Sequence, residues 1–184
     1  HSFPTRRSSD LEPFELEVKT IVANHLSLKY GSDVFYKYEI YQDINDWQNT
    51  MNIVLREVKR DPTNPVVSWH MKQYDGMFPM WVLIEFFSLG SLSHFFGNLN
   101  NIDKNEIARF YDISGYYLSS WLQSISLLRN LCSHTRQLFR RNYTSPPSLP
   151  NFFNWTPNDN RHLFALSLII KRLFTTTNLH IFVN

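Results

Sequence analysis

Arg129, Asn130 and His134 stand in the order R-N-x-x-x-H within the segment Arg129-Asn130-Leu131-Cys132-Ser133-His134. Those three side-chain types form a minimal set for holding and cutting a phosphodiester. An imidazole exchanges protons near neutral pH, and a guanidinium fork pairs with phosphate oxygens and with charge that develops in a transition state. RNA supplies its own nucleophile. A histidine that removes the 2′-hydroxyl proton or protonates the leaving oxygen therefore cuts the strand without a metal and leaves a cyclic phosphate. The surroundings suit a polyanion: residues 113–158 contain Arg129, Arg136, Arg140 and Arg141 and no Asp or Glu.

Helical geometry limits what one copy of the motif does. Each residue advances about 100° around the axis, so Asn130 and His134 share a face one turn apart. Arg129 is five residues from His134, about 140° around, and meets it only by its long arm or through a second helix. One helix is thus an incomplete site, and two copies packed around a two-fold axis would bring two His and two Arg together. On the short pattern alone, a helix-packing network is the commoner explanation of these residues.

The elements that must position the motif are helices. With 184 residues, 43% apolar and 15 Phe, the chain suffices for one compact domain with a buried core. Periodicity predicts a helix over 14–30 that stops at Tyr30-Gly31, and a second over 44–60 that ends before Pro62. Residues 61–65 read as a loop. From Phe78-Pro79-Met80-Trp81, with the proline in the first turn, an apolar run to Phe96-Gly97 reads as a central helix buried on nearly every face. Asp103 and Glu106 resemble a capping box that opens a short helix to about Phe110. The longest helix is expected from Tyr116 to Arg141, with Leu118, Trp121, Leu122, Ile125, Leu128 and Cys132 as its buried stripe. Residues 144–157 hold four prolines and read as a loop or arm anchored by Phe152, Phe153 and Trp155. Thr156-Pro157 with Asp159 reads as a helix start, Leu163 to Phe174 as a final apolar helix, and 175–183 as a frayed or extended tail.

Charge and composition exclude several classes. The formal net charge of +2 conceals a regional polarity: residues 12–112 carry 9 basic and 14 acidic side chains, residues 113–184 carry 7 basic and 1 acidic. A single cysteine, Cys132, excludes an internal disulfide and a Cys-rich metal site and fits a reducing compartment, with the cytoplasm as default. The longest apolar run, Met77 to Phe87, has 11 residues including Pro79 and Glu85, well short of the roughly 20 that a span requires, so no membrane partner is expected. No H-E-x-x-H, Cys pair or clustered carboxylates suggest a metal, and no cofactor is expected.

Residues 1–11 are set apart. The string Ser2 to Leu11 looks like the forward translation of a short-read sequencing adapter, so these residues are expected not to be native. The natural protein would then begin upstream, and residues 12–184 would be a helical domain lacking its N-terminal helices.

From Glu12 to about Phe174 the chain resembles the Abi-like, abortive-infection branch of the HEPN superfamily. Three passages carry the resemblance: Glu12 to Leu28 with Tyr30-Gly31; Phe78 to Glu85 running into Phe87-Ser88-Leu89-Gly90-Ser91-Leu92-Ser93; and Ser120-Trp121-Leu122 leading into Leu128 to His134. It implies an all-α, HEPN-like helical bundle whose Arg-polar-x-x-x-His motif lies at a homodimer interface and cleaves RNA without metal, arresting a phage-infected cell. By that analogy His134 transfers protons, Arg129 binds phosphate and Asn130 orients substrate or His134. Relatives usually follow the motif with His, Ser, Arg, Leu, Trp, Asn and Arg, where this chain has Thr135-Arg136-Gln137-Leu138-Phe139-Arg140-Arg141. Arg141 keeps the last basic position, and Arg136 and Arg140 add charge; all three are candidates for RNA binding, with a solvated face as the alternative for each. An antitoxin or a phage-derived trigger is a further expected partner.

Other residues carry less. His94 reads as a partly buried helix residue, Glu85 as a buried carboxylate in a structural hydrogen bond, and Trp81 and Trp121 as core. His25, His70, His162 and His180 have no partners at ligand spacing. Tyr116, Tyr117 and Tyr143 are candidates for stacking on RNA bases. The competing classes are a catalytically silent HEPN module that binds RNA, nucleotide or a protein partner, and a fragment without independent function.

Overall fold

The computed structural model describes residues 11–133, 145–150, 161 and 163–181. Among them the fold is all-α, as expected. The α-helices are α1 (Glu12–Tyr30), α2 (Ile44–Val58), α3 (Pro65–Gln73), α4 (Met80–Leu83), α5 (Leu89–Asn98), α6 (Asn101–Ala108), α7 (Gly115–Ser133) and α8 (Leu163–Ile181). Short 3-10 turns lie at Val34–Tyr36, Tyr38–Ile40, Ile84–Phe86 and Arg109–Tyr111. The chain divides into two compact units, Glu17–Asp103 and a second made from the N-terminus to Leu16 with Lys104–Asn184.

Within the first unit, local chemistry sets the helix limits. Helix α1 ends where Gly31 takes φ +96 and its N–H donates to the Ser27 carbonyl, a left-handed cap that glycine adopts without a Cβ penalty. Asp43 caps α2, accepting from the Asn45 and Asp46 N–H groups. Helix α3 is not among the expected elements, although Asn64 followed by Pro65 is its start signal: the Asn64 side chain accepts from the Val66 and Val67 N–H groups.

The single buried helix expected from Phe78 to Gly97 is broken. Pro79 is extended (φ −66, ψ 154) and precedes α4, and the chain opens again at Phe87 (φ −76, ψ 132). Ser88 then caps α5 by accepting from the Ser91 N–H at 3.1 Å. A serine hydroxyl offers the backbone this alternative to continued helix, and the apolar run hides it. The break turns side chains around. Trp81, expected in the core, is 53% exposed, and Glu85 and His94, expected to be buried and partly buried, are also exposed.

The core of this unit is aromatic. Phe35, Phe87 and Phe95 contact one another at ring separations of 5.2 to 6.0 Å. Tyr41 and Trp47 bring polar ends to that cluster, both donating to the Phe35 carbonyl at 3.1 and 3.0 Å. Burial pushes the Tyr41 phenol well above its usual range. Helix α2 packs on α5.

Asn100 caps α6 by accepting from the Asp103 N–H at 2.9 Å, so Asp103 is the third residue of the helix, and the helix starts earlier than the expected Asp103–Glu106 box. Asp103 is fully buried and joins the two ends of its unit. Its carboxylate accepts from Lys29 Nζ (2.8 Å), the Tyr30 hydroxyl (2.9 Å), the Asn100 amide and His25 Nε2 (3.3 Å). His25, without a partner at local spacing, finds one 78 residues away.

In the second unit, α7 and α8 pack together and α8 also contacts Arg109–Tyr111. Leu118, Trp121, Leu122 and Ile125 are fully buried and Leu128 nearly so, the stripe expected of α7. Gly115 begins that helix because a Cβ there would lie 2.6 Å from the Cβ and 2.9 Å from the carbonyl oxygen of Lys104. Its N–H donates to Asn105 Oδ1 at 2.8 Å. Helix α8 extends to Ile181, so most of the segment read as a frayed or extended tail is helical.

Candidate functional site

The C-terminal turns of α7 carry the Arg-Asn part of the motif, and one face of those turns is committed to packing. Leu128 pairs with Leu166 of α8, and Leu131, Cys132, Leu163 and Ile170 pack against that pair. At about 100° per residue, Leu128, Leu131 and Cys132 span roughly a quarter to a third of the helix circumference. Asn130 falls on the opposite side and is exposed, and Arg129 lies between the two and is partly buried. The apolar docking therefore sets the rotation of the helix and with it the direction in which Asn130 points.

His134, Arg136, Arg140, Arg141 and Tyr143 lie outside the described residues, as do Phe152, Phe153, Trp155 and the Thr156-Pro157-Asp159 start signal. The structure thus places Arg129 and Asn130 next to each other on one helix. Of the candidate stacking residues, Tyr116 is 67% exposed and Tyr117 is partly buried, their rings in edge contact at 5.3 Å near the start of α7.

Residues 145–150, part of the expected arm, lie along α7 and are held by the indole of Trp121 and the hydroxyls of Ser120 and Ser124. Trp121 Nε1 donates to the Ser148 carbonyl at 2.7 Å, and the Ser148 N–H donates to Ser120 Oγ at 2.8 Å. The buried Ser124 hydroxyl lies 2.9 Å from the Ser145 carbonyl and 3.0 Å from that of Ser120, sharing one hydrogen between them. The signal was the pair Ser120 and Ser124, one turn apart at the edge of the apolar stripe of α7. Ser145 therefore lies against α7, the helix that bears Arg129 and Asn130.

No described helix is long and apolar enough to cross a membrane. No curated protein and no solved structure gives a significant match to the chain. The family model described as Abi-like protein matches residues 8–140, a range that takes in all of α1 to α7 and the complete R-N-x-x-x-H segment. By that match over most of its length, and by the helices and motif it contains, the chain belongs to the Abi-like protein family.

Proposed function

We propose that this protein is a metal-independent endoribonuclease effector of bacterial antiphage abortive-infection defence, cleaving RNA by 2′-hydroxyl attack at a composite site on a homodimer. Family membership points to abortive infection as the setting. The observation that carries the chemistry is the end of α7. Its apolar face is taken up by α8, which leaves Asn130 exposed and Arg129 beside it at the start of an acid-free, Arg-rich stretch.

In this reading the Arg129 guanidinium holds a phosphate oxygen and stabilises charge on the pentacoordinate phosphorus. His134 accepts the 2′-hydroxyl proton or donates to the departing 5′-oxygen, and Asn130 fixes the imidazole or the ribose. Arg136, Arg140 and Arg141 hold the RNA backbone. A second copy completes the site, and the protein works in the cytoplasm.

The test is RNA cleavage by the purified chain in EDTA, wild type against His134→Ala and Arg129→Ala. Fragments ending in cyclic phosphate, lost in both variants, are expected. Equal cleavage by folded preparations of all three would remove His134 and Arg129 from the mechanism. RNA binding without any cleavage by the wild type would favour a catalytically silent module.

A further inference from the structure

A recess of about 450 Å³ opens in the Glu17–Asp103 unit, between the turn after α1, α3 and the start of α4. That volume is within the range of about 300–1,000 Å³ common for small-molecule sites. Trp69, Tyr74 and Trp81 form part of its lining, and each is 52% to 53% exposed. Three half-exposed aromatic side chains around one hollow are unusual for a surface, where large apolar groups normally occur singly. Trp69 and Tyr74 support each other at 5.1 Å in edge contact. Trp81 has no aromatic partner among the described residues, which leaves its ring free for stacking.

The polar groups of the recess are specific. Tyr36 accepts the Phe78 N–H at 3.1 Å, and no acceptor among the described residues takes its hydroxyl hydrogen. Burial pushes the Tyr36 phenol above its usual range, more than the Phe78 N–H lowers it, so the hydroxyl stays protonated and is a donor at neutral pH. His70 Nδ1 lies 2.8 Å from the Val66 carbonyl, which accepts only, so Nδ1 carries the proton. In that tautomer Nε2 keeps a lone pair with no donor among the described residues. The recess therefore combines aromatic walls with the Tyr36 donor and the His70 acceptor, with the exposed Ser32 and the Lys37-paired Asp33 at the same hollow.

Charge narrows the ligand. The carboxylate in the lining, Asp33, is bonded to Lys37 Nζ at 2.8 Å, which removes the unpaired anion that a cationic ligand would seek. No Arg or Lys lines the recess, so a phosphate is not the group recognised. We propose that this recess binds a nucleobase, stacked on Trp81 and hydrogen-bonded through the Tyr36 hydroxyl and His70 Nε2. The base comes either from a free nucleoside or from an unpaired position in single-stranded RNA.

The full chain, in a His134→Ala background to prevent loss of substrate, is titrated with adenosine, uridine and short single-stranded A and U oligoribonucleotides. Binding is read by calorimetry and tryptophan quenching. Trp81→Ala, at an exposed side chain without a ring partner, is expected to keep the helical spectrum and weaken binding about tenfold or more. Nucleoside binding lost in Trp81→Ala identifies a free ligand; oligonucleotide binding alone, lost in the same variant, identifies RNA. No binding of either, or affinity for both unchanged in Trp81→Ala and Trp69→Ala, overturns the proposal. Loss of self-association in Trp81→Ala without base binding also overturns it, in favour of a docking face. Nucleoside binding is read without cleavage, so failure of the ribonuclease reading leaves this result distinct.

Discussion

The indole N–H of Trp121 reaches the carbonyl of Ser148 at 2.7 Å, tying the chain that returns after the basic stretch to the helix that carries Arg129 and Asn130. Ser133 and Ser124 are nine residues apart on α7, about 13 Å along the axis. Ser145 is held beside the second, its carbonyl accepting from the Ser124 hydroxyl at 2.9 Å. Trp121→Phe keeps most of the packing and removes the donor. We expect a loss of about 1 kcal/mol in urea unfolding and faster amide exchange at 145–150. Unchanged exchange there would show that the bond does not anchor the segment.

His134→Ala is expected to lower the rate of RNA cleavage by roughly 100-fold or more, the contribution typical of a general acid or base. Asn130→Ala should cost less than Arg129→Ala, because an orienting amide is more replaceable than a charge on the phosphate. Single-turnover rates decide it, and an Asn130→Ala defect equal to or larger than that of Arg129→Ala would reverse the assigned roles. EDTA should leave the wild-type rate unchanged.

Arg136, Arg140 and Arg141 are proposed to contact phosphates. For single strands the slope of log affinity against log salt is about −0.7 per contact. Replacing all three by Gln should make the slope shallower by about 2 units. A parallel salt plot for wild type and triple variant would assign these arginines to a solvated face.

Asp103 supplies a pH test. Burial alone would raise its carboxyl, but the bonds from Lys29, Tyr30, Asn100 and His25 outweigh it and hold the group below its usual range. A carboxylate whose folded value is depressed contributes stability that is present above its unfolded pKa of about 3.9 and is lost as pH falls through the folded value. At pH 7, Asp103→Asn should destabilise by about 2–4 kcal/mol, because it leaves Lys29 without its buried counter-ion. The gap between the two unfolding midpoints should close below about pH 4. A gap that persists undiminished to pH 2.5 would show that charge is not the source.

Gly115→Ala should destabilise the protein by about 1–3 kcal/mol, since the added methyl meets the Lys104 backbone and not a yielding side-chain end. Gly97→Ala, where a Cβ meets no atom within 4 Å, is the control and should be neutral or slightly stabilising. Equal thermal midpoints for the two would refute the close approach.

Much of the helical frame was legible because its signals are local. The stop at Tyr30-Gly31, the end of α2 before Pro62 and the stripe from Leu118 to Leu128 depend on residues within a few turns of one another. The run from Phe78 to Gly97 departs from the expected single helix for the opposite reason. Uniform hydrophobicity has no period, so nothing in it announces that Ser88 opens a new helix and that Trp81 faces outward.

The amino-acid order by itself determined the all-α class, the Abi-like family signature and the placing of Arg129 and Asn130 on one helix, since each follows from short-range pattern. Only the tertiary structure decided that α8 covers the Leu128 face and leaves Asn130 exposed, and that His25, Lys29 and Asp103 meet. It also set Tyr36 against the segment that carries Trp69, Tyr74 and Trp81 around one recess. Those pairings join residues far apart in the chain, and which apolar faces meet is decided by packing the whole core against water, a condition that no local segment contains.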